Sequence, residues 1–271
     1  PELIDTMRPE YRAVRLDELL SNRSGVVSST SAIPGYDDYF FDERPIQEQR
    51  QKFVEKALSI PSDSIRGTFK YNNVGYTLAG AMLERASGLS WETLLKTRLF
   101  NPLGMVGTGF GAPDTQGVLA QPVGHSIESS AWLPVDPAVE AVADNPAVLG
   151  PAGGVHLTLN DIGTYLRLHL QGLRGEYTAG VLNQTSLDKL YVSEDGLPYA
   201  MGWSVGEQLV FHDGSNTIWL AMMVVNAEKN TALFVVTNAA DEEAGLQSAP
   251  RQAITALLTA MGERAEAAFQ N

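Results

Sequence analysis

Two short tracts of the chain carry side chains that can move protons or bind anions: Tyr71-Asn72-Asn73 and His212-Asp213-Gly214-Ser215. A tyrosine hydroxyl can relay a proton once a neighbouring cation stabilises its anion. Histidine changes its charge near neutral pH, and a glycine beside it lets a backbone pass close to a ligand. Each tract also has a purely structural interpretation, because asparagines cap helices and a histidine at a strand end is often a satisfied structural group.

Two further motifs point less clearly to chemistry. Gly107-Thr108-Gly109-Phe110-Gly111-Ala112 fits a loose dinucleotide fingerprint, but it runs into Pro113 where a helix should begin, so loop glycines explain it better. Ser186-Leu187-Asp188-Lys189 matches Ser-x-x-Lys and is interpreted as an exposed helix start capped by Thr185 or Ser186. No Gly-x-Ser-x-Gly, His-Glu-x-x-His or Walker sequence occurs, which leaves α/β-hydrolases, zincins and P-loop proteins without support.

The composition excludes several classes of protein. The 271 residues include 32 acidic and 19 basic side chains, and the resulting charge of −13 disfavours a nucleic-acid partner. The chain has no cysteine, so a zinc-thiolate site, an iron–sulfur cluster and a cysteine nucleophile are excluded. No apolar run approaches the roughly 18 residues of a membrane span. We expect no metal and no cofactor, and chemistry from oxygen and nitrogen groups.

Periodicity and end signals predict the elements that position these residues. Helices are expected over residues 15–20, 45–58, 76–87, 91–100 and 158–173, with Ser90 and Thr158 at the starts of the last two and Gly88 as the stop of the third. A final helix is expected from residue 250, with Ile254, Leu257, Leu258 and Met261 facing inward. The inward face of the helix over 76–87 is predicted to consist of Leu78, Ala79, Met82, Leu83 and Ala86. Strands are expected over 199–205, 208–212, 217–226 and 231–238, with a hairpin turn at 227–230 and long surface loops over 101–154.

A helical middle followed by an antiparallel sheet and a closing helix predicts an α+β fold. The expected domains are a mainly helical domain with long loops over 1–196, and the C-terminal part of a sheet domain with its closing helix over 197–271. A sheet of only three or four strands would leave one edge exposed, and the chain opens on Pro1 without an initiator methionine. Both features lead us to expect a processed or truncated chain.

Six segments, in the same order, resemble the penicillin-recognising serine hydrolase superfamily, specifically its class C β-lactamase-like branch with family VIII esterases and D-amino-acid peptidases. The segments are residues 14–25, Tyr71-Asn72-Asn73-Val74-Gly75-Tyr76, Asn101-Pro102-Leu103-Gly104-Met105, Pro151-Ala152-Gly153-Gly154-Val155 with Asp161, Tyr199-Ala200-Met201-Gly202-Trp203, and His212-Asp213-Gly214-Ser215-Asn216. The first resembles the family's Leu-Leu-Ser-His-x-Ser-Gly segment, with Asn22 where histidine is common. Tyr-x-Asn and His-x-Gly would be the family's second and third motifs.

The superfamily's first motif, Ser-x-x-Lys, precedes the segment that residues 14–25 resemble. The resemblance therefore implies a β-lactamase/transpeptidase-like fold whose N-terminal strands and nucleophile helix come before Pro1. Ser186 lies between the second and third motifs, which is the wrong place for the family's nucleophile.

The resemblance also implies catalytic roles for four residues. Tyr71 would help the missing lysine to take the proton of the nucleophilic serine, and Asn73 would hydrogen-bond that lysine and a substrate carbonyl. His212 would replace the lysine of the third motif with a weaker, pH-dependent positive charge. The backbone N–H of Ser215, with that of the missing serine, would form an oxyanion hole.

The function implied by the resemblance is a serine acyl hydrolase that forms an acyl-enzyme with an ester, a β-lactam or a D-amino-acid amide. Its partner would be a small-molecule or peptide substrate, bound by Asp213, Gly214 and Asn216, with Gly214 leaving room for the acyl group. Histidine in place of the third-motif lysine favours ester or peptide substrates, because a permanent cation for the β-lactam carboxylate is absent.

Two alternatives stay open at this point. The first is a non-catalytic module of the same fold that binds peptide or cell-wall fragments. The second is a split protein, in which a cleaved N-terminal fragment of the same polypeptide stays bound and completes the sheet. The family is often periplasmic or secreted, and we expect that location although residues 1–6 lack the features of a signal peptide.

Overall fold

The computed structural model describes residues 3, 5–113, 121–128, 131–137, 143–178, 180–193, 196–197, 199–207, 209–216, 218–240 and 249–260. The chain forms two compact units, the first made of Pro1–Phe100 with Asn145–Val155 and the second of Asn101–Asp144 with His156–Asn271. Residues 156–196 thus belong to the unit that contains the main sheet, whereas the sequence prediction placed them in a helical domain over 1–196. That predicted boundary stays a proposal.

The secondary structure of the described residues is mixed. The α-helices are α1 (Leu16–Leu20), α2 (Ile46–Ser59), α3 (Asn73–Ser87), α4 (Trp91–Leu95), α5 (Asn101–Leu103), α6 (Gly150–Gly153), α7 (Leu159–Leu173), α8 (Gln184–Leu190) and α9 (Ala249–Ala260). A π-helical segment covers Lys96–Phe100, and 3₁₀ turns cover Pro9–Tyr11, Thr30–Ala32, Asp37–Phe41 and Ala147–Leu149. The strands are β1 (Thr108–Phe110), β2 (His125–Glu128), β3 (Ala131–Pro134), β4 (Val155–Leu157), β5 (Ser204–Val205), β6 (Leu209–Ser215), β7 (Leu220–Asn226) and β8 (Thr231–Thr237).

The core of the first unit lies between α1, α2 and α3. Phe53 and Val54 of α2 pack with Leu19 of α1 and Val74 of α3 in one buried cluster. Each of these helices was expected from apolar periodicity, and α3 ends, as predicted, at Gly88, whose φ of +73° favours glycine. The core therefore fixes the N-terminal end of α3, where the Tyr71 tract ends at Asn73.

The predicted inward face of α3 was wrong in part. Met82 and Leu83 are 44% and 46% exposed, whereas the polar residues Thr77 and Glu84 are buried. The Glu84 carboxylate is drawn inward by the guanidinium of Arg50, which lies 34 residues earlier in the sequence. The buried face of α3 therefore includes the Glu84 side chain that pairs with Arg50, and it does not coincide with the most apolar side of the helix.

The main sheet belongs to the second unit and has the strand order β5-β6-β7-β8, with each neighbouring pair antiparallel. Residues 227–230 form the predicted hairpin turn, and Asn230 takes a φ of +51° there. One face of the sheet packs on α7 through Ile162 and Leu166, and the other packs on α9 through Ile254. These helix and sheet layers confirm the predicted α+β fold class.

Several boundaries differ from the sequence predictions. The region predicted as long loops, residues 101–154, contains α5, α6 and the three short strands β1, β2 and β3. β2 pairs with β3, and β1 pairs with β4, which begins directly after this region. The strand β3 has no buried residue, so it has no alternating apolar pattern that sequence reasoning could detect. The tract from His212 to Ser215, expected at a strand end, lies wholly inside β6.

The helical predictions near the chain's polar motifs mostly hold. Ser90 caps α4 by accepting from the Thr93 N–H at 3.2 Å, and Thr158 caps α7 in the same way. In α9, Ile254 is buried as predicted, Leu257 is exposed, and the predicted inward residues Leu258 and Met261 fall outside the side chains that the structure describes. Across the described residues, none of the helices has both the length and the apolar character to span a bilayer.

Candidate active site

The Tyr71 tract is built around its middle residue. The side chain of Asn72 caps α3 by accepting from the Gly75 N–H at 2.8 Å, and its amide donates to the carbonyl of Val26 at 2.6 Å. Asn72 is 3% exposed, whereas the neighbouring Tyr71 is 56% exposed. The buried residue of the Tyr-x-Asn triplet thus has a structural role, and its neighbours are the ones available to a ligand.

Asn73 is the first residue of α3 and is half-buried. Its carbonyl accepts from the Thr77 hydroxyl at 3.0 Å, which ties the first turn of the helix together. Within the part of the chain that the structure describes, the Asn73 side chain makes no hydrogen bond, so its amide is available to bind a ligand. Tyr71 and Asn73 therefore flank one rigid capping residue at the start of a helix.

Side chains alternate along a strand, so His212 and Val210 lie on the same face of β6. Val210 packs with residues of α7, and His212 is therefore also directed toward that helix. Its Nδ1 lies 2.7 Å from the carbonyl oxygen of Gly202. A carbonyl oxygen can only accept, so Nδ1 carries the proton, and in the neutral ring the lone pair is on Nε2. The backbone of Gly202 therefore selects the tautomer of His212.

Gly214 lies on the same face, two residues further along β6. A Cβ atom added to Gly214 would have the His212 Nε2 as its nearest contact, at 3.9 Å. The absence of a side chain thus leaves open space beside the basic nitrogen of the imidazole. Gly214 and His212 therefore lie side by side on one face of β6. The role of Gly214 in making room for an acyl group stays a prediction.

Aromatic rings support the imidazole of His212 from within the second unit. The ring of Trp203 lies 6.4 Å from that of His212 in an edge-on arrangement, and 4.7 Å from the ring of His169. The Nδ1 of His169 and the hydroxyl of Tyr191 lie 2.5 Å apart. We call Tyr165, His169, Tyr191 and Trp203 the aromatic cluster.

The aromatic cluster is electrically neutral at neutral pH. Burial lowers the pKa of the His169 imidazole to about 3, because the charged form loses its hydration. Burial also raises the pKa of the Tyr165 hydroxyl to about 12, and raises that of Tyr191. A neutral and rigid support therefore lies behind His212.

Asp213 lies on the opposite face of β6 and forms an ion pair with Arg251 of α9. Asn216 follows β6, and its amide donates to Asp144 Oδ1 at 2.7 Å while its side-chain oxygen accepts from the Trp219 N–H at 2.9 Å. Both side chains thus make contacts that hold the second unit together. Their assignment as substrate-binding residues stays a prediction, and so does the oxyanion role of Ser215, an exposed residue at the end of β6.

The Ser186 tract differs from its prediction. The side chain that caps α8 belongs to Asn183, which accepts from the Ser186 N–H at 2.8 Å, so neither Thr185 nor Ser186 is the cap. Ser186 belongs to the first turn of this helix, and Lys189 is exposed near its end. This is the behaviour of a surface helix start, as the sequence indicated.

Sequence reasoning missed two residues that position His212. Gly202 has a φ of +89°, a conformation that favours glycine and that directs its carbonyl to the imidazole. Trp203 follows it and is buried. The available signal was the Gly-Trp pair ahead of the strands, which was noted as part of a resemblance and not as part of the site. Among the described residues, no group of three or more His, Cys, Asp or Glu side chains could hold a metal ion.

Solved structures with the same fold support the architecture. A D-amino acid amidase from Ochrobactrum anthropi matches with a TM-score of 0.70 and 20% identity, covering 94% of this chain and 74% of the amidase. An octameric penicillin-binding protein homologue from Pyrococcus abyssi matches with a TM-score of 0.68 and 20% identity, covering 98% of this chain and 62% of the homologue. These likenesses confirm the predicted β-lactamase/transpeptidase-like fold.

Sequence comparison agrees. Penicillin-binding protein 4 of Amycolatopsis lactamdurans is 29% identical over 161 residues, which cover 59% of this chain and 39% of that protein. This chain thus matches well under half the length of that curated relative. The Beta-lactamase family matches residues 5–257, nearly the whole chain, and confirms the resemblance to the penicillin-recognising serine hydrolases. The chain therefore belongs to the Beta-lactamase family.

Proposed function

We propose that this chain is the larger part of a serine acyl hydrolase that works through an acyl-enzyme. The observation that carries the proposal is the arrangement at β6, where the Gly202 carbonyl holds His212 with its Nε2 beside the open space over Gly214. A fixed imidazole beside room for an acyl group can hold a substrate along the strand, while the serine, the lysine and Tyr71 carry out the proton transfer. Family membership supports the same reaction class.

In the proposed reaction, the nucleophilic serine and its lysine belong to a Ser-x-x-Lys segment N-terminal to residue 1. The serine oxygen attacks the substrate carbonyl while its proton passes to the lysine and Tyr71 pair, and the leaving group takes up that proton on departure. Water then releases the acyl group. Asn73 would hold the lysine and a substrate carbonyl, and the Ser215 N–H would donate to the oxyanion.

His212 also suggests the substrate. An imidazole is not a permanent cation at neutral pH, so it would bind the carboxylate of a β-lactam less firmly than a lysine would. Esters and peptides, including D-amino-acid amides, are therefore the proposed substrates. We further propose that the protein works in the periplasm or outside the cell, as is common in the family.

The proposed function is tested by peptide mapping after reaction with a fluorophosphonate probe and with benzylpenicillin. The sample is the natural protein that carries these 271 residues. We expect both probes to modify one serine, that of a Ser-x-x-Lys motif upstream of residue 1, as a phosphonyl adduct with the fluorophosphonate and an acyl adduct with benzylpenicillin. A Ser186→Ala variant should be labelled equally. An adduct mapped to Ser186 would overturn the assignment of the nucleophile.

The same experiment separates the alternatives. Label on a short copurifying peptide, beside an unlabelled 29.3 kDa chain, would indicate the split protein. A protein that contains Ser-x-x-Lys upstream of residue 1 and takes up neither probe would contradict the hydrolase proposal and leave the binding module.

A further inference from the structure

We propose that Asn22 is a positioning residue for Tyr71, and this inference rests on the proposed function for its catalytic consequence. Asn22 lies 49 positions before Tyr71, in the segment where the family resemblance has histidine. Its side chain is 1% exposed, so it does not itself meet a substrate. Its side-chain oxygen and its backbone carbonyl accept from N–H groups on either side of the tyrosine.

The end of α1 places Asn22 where it can make these contacts. The N–H of Arg23 donates to the carbonyl of Glu18 at 2.8 Å, and the N–H of Asn22 donates to that of Leu19 at 3.2 Å. This pair of bonds is the Schellman arrangement, which requires a left-handed residue after the helix cap, and Asn22 has a φ of +57°. The Schellman arrangement therefore fixes the backbone conformation of Asn22 at the end of α1.

Asn22 then holds the chain on both sides of Tyr71. Its backbone carbonyl accepts from the Lys70 N–H at 2.8 Å, and its side-chain Oδ1 accepts from the Asn72 N–H at 3.1 Å. Because Asn72 is also the cap of α3, the backbone at Tyr71 is fixed from α1 and from α3 together. An exposed tyrosine thereby gains a rigid backbone.

The side-chain oxygen of Asn22 explains why this position holds asparagine and not glycine. Glycine would adopt the left-handed turn at least as easily and would bury no amide. The Asn22 Nδ2, by contrast, is buried and finds no hydrogen-bond partner among the described residues. An unpaired buried N–H costs free energy. The contact that offsets this cost is the bond from the Asn72 N–H to Oδ1.

The test uses Asn22→Gly, which keeps the left-handed turn and the backbone carbonyl and removes the side chain, whose one hydrogen bond among the described residues is the bond from the Asn72 N–H to Oδ1. Amide hydrogen exchange by NMR should show the Asn72 N–H exchanging about tenfold faster or more, because its acceptor is gone, while the Lys70 N–H changes little. The Gly67 N–H, which donates to the Arg23 carbonyl at 2.8 Å, is the internal control. Equal acceleration at all three amides, or none at Asn72, would overturn the proposal.

A matched variant and a second readout separate positioning from general stability. Asn230→Gly makes the same change at the other described asparagine with positive φ, in the hairpin after β7, and should leave both the Asn72 exchange and the Tyr71 ring ¹³C shifts unchanged. Asn22→Gly should shift the Tyr71 ring signals and slow labelling by the fluorophosphonate probe about tenfold, with little change in probe affinity. Faster exchange with unchanged ring signals would refute a role at Tyr71.

The two proposals fail in different ways. If the wild-type protein takes up no probe although it contains Ser-x-x-Lys upstream of residue 1, the proposed function fails, and the exchange rates and ring signals still decide the role of Asn22. If the wild-type protein is labelled and Asn22→Gly is labelled equally fast, the positioning role fails and the hydrolase proposal stands.

Discussion

The two units differ in the polar groups that they bury behind their candidate residues. In the first unit, the fully buried Arg50 pairs with Glu84 of α3 and, at 2.6 Å, with Glu92 of α4. In the second unit, His169 is buried among aromatic rings, and burial keeps it neutral. The first unit thus anchors the helix that begins after Tyr71 by charge pairing, whereas the second supports His212 without charge.

The comparison shows that the buried carboxylate of Glu84 needs a charged partner, whereas the buried imidazole of His169 does not. Burial raises the pKa of the Glu84 carboxyl, while the Trp91 N–H and the Arg50 guanidinium act against that rise. Such a carboxylate is tolerated only while the cation is present. The imidazole of His169 needs no counter-ion, but it must stay unprotonated. The Arg50–Glu84 pair should therefore be sensitive to the loss of Arg50, and the aromatic cluster around His169 should be sensitive to acid.

The largest expected effect comes from Arg50→Met, which leaves two carboxylates without their cation. We expect the free energy of unfolding to fall by about 3–5 kcal/mol, measured by urea denaturation. Lys52→Met on the same helix is the matched control, because Lys52 pairs with Glu48 at 2.9 Å on the surface and should contribute less than about 1 kcal/mol. Similar losses in both variants would show that the buried ion pair does not anchor α3.

A smaller effect, visible only in acid, is expected from the aromatic cluster. The pKa of His169 is about 3 in the folded state and 6.5 in a model compound, so the unfolded chain binds one more proton between those values. Stability from neutral His169 is complete above pH 6.5 and is lost as the pH falls, by about 2 kcal/mol at pH 5.

The double variant His169→Phe with Tyr191→Phe keeps the aromatic packing and removes both hydrogen-bonding groups. It should abolish that component of the pH dependence, while its stability at pH 8 stays within about 1 kcal/mol of the wild type. Urea midpoints at pH 5 and pH 8 provide the measurement. A double variant that loses as much stability in acid as the wild type would contradict a neutral His169.

The smallest stability effect, about 1–2 kcal/mol, is expected from Gly202→Ala, because alanine is strained at a φ of +89°. The same change displaces the carbonyl that holds His212, so ¹⁵N NMR should report the Nδ1–H tautomer in the wild type and a mixture in the variant. Gly175→Ala, with a φ of +69° and open space around it, introduces similar strain as a control. A wild-type protein with the Nε2–H tautomer would refute the role of Gly202.

Local sequence signals predicted the elements, and distant contacts explain where they failed. The caps of α4 and α7 and the glycine stop of α3 are local features and were predicted correctly. The buried face of α3 depends on Arg50, which periodicity within the helix does not include. The hairpin of β2 and β3 was missed because the residues of β3 are all exposed.

The candidate site shows the same limit. Residue types and their order were enough to suggest Tyr71 and His212. The partners that fix them, Asn22 and Gly202, act partly or wholly through backbone groups, which carry no signature in a side-chain motif. The alternation of β6 could have indicated that Asp213 faces away from His212, had the strand been predicted to extend to Ser215.

The most direct test of the central claim is the rate at which a fluorophosphonate probe phosphonylates the natural protein, compared with its Tyr71→Phe variant. Removing a proton-transfer hydroxyl should slow this reaction by about 10²-fold to 10⁴-fold without unfolding the protein. Tyr177→Phe removes a hydroxyl that accepts from the Val181 N–H, and this variant should react at the wild-type rate. A Tyr71→Phe variant that is phosphonylated as fast as the wild type would contradict a catalytic role for this tyrosine.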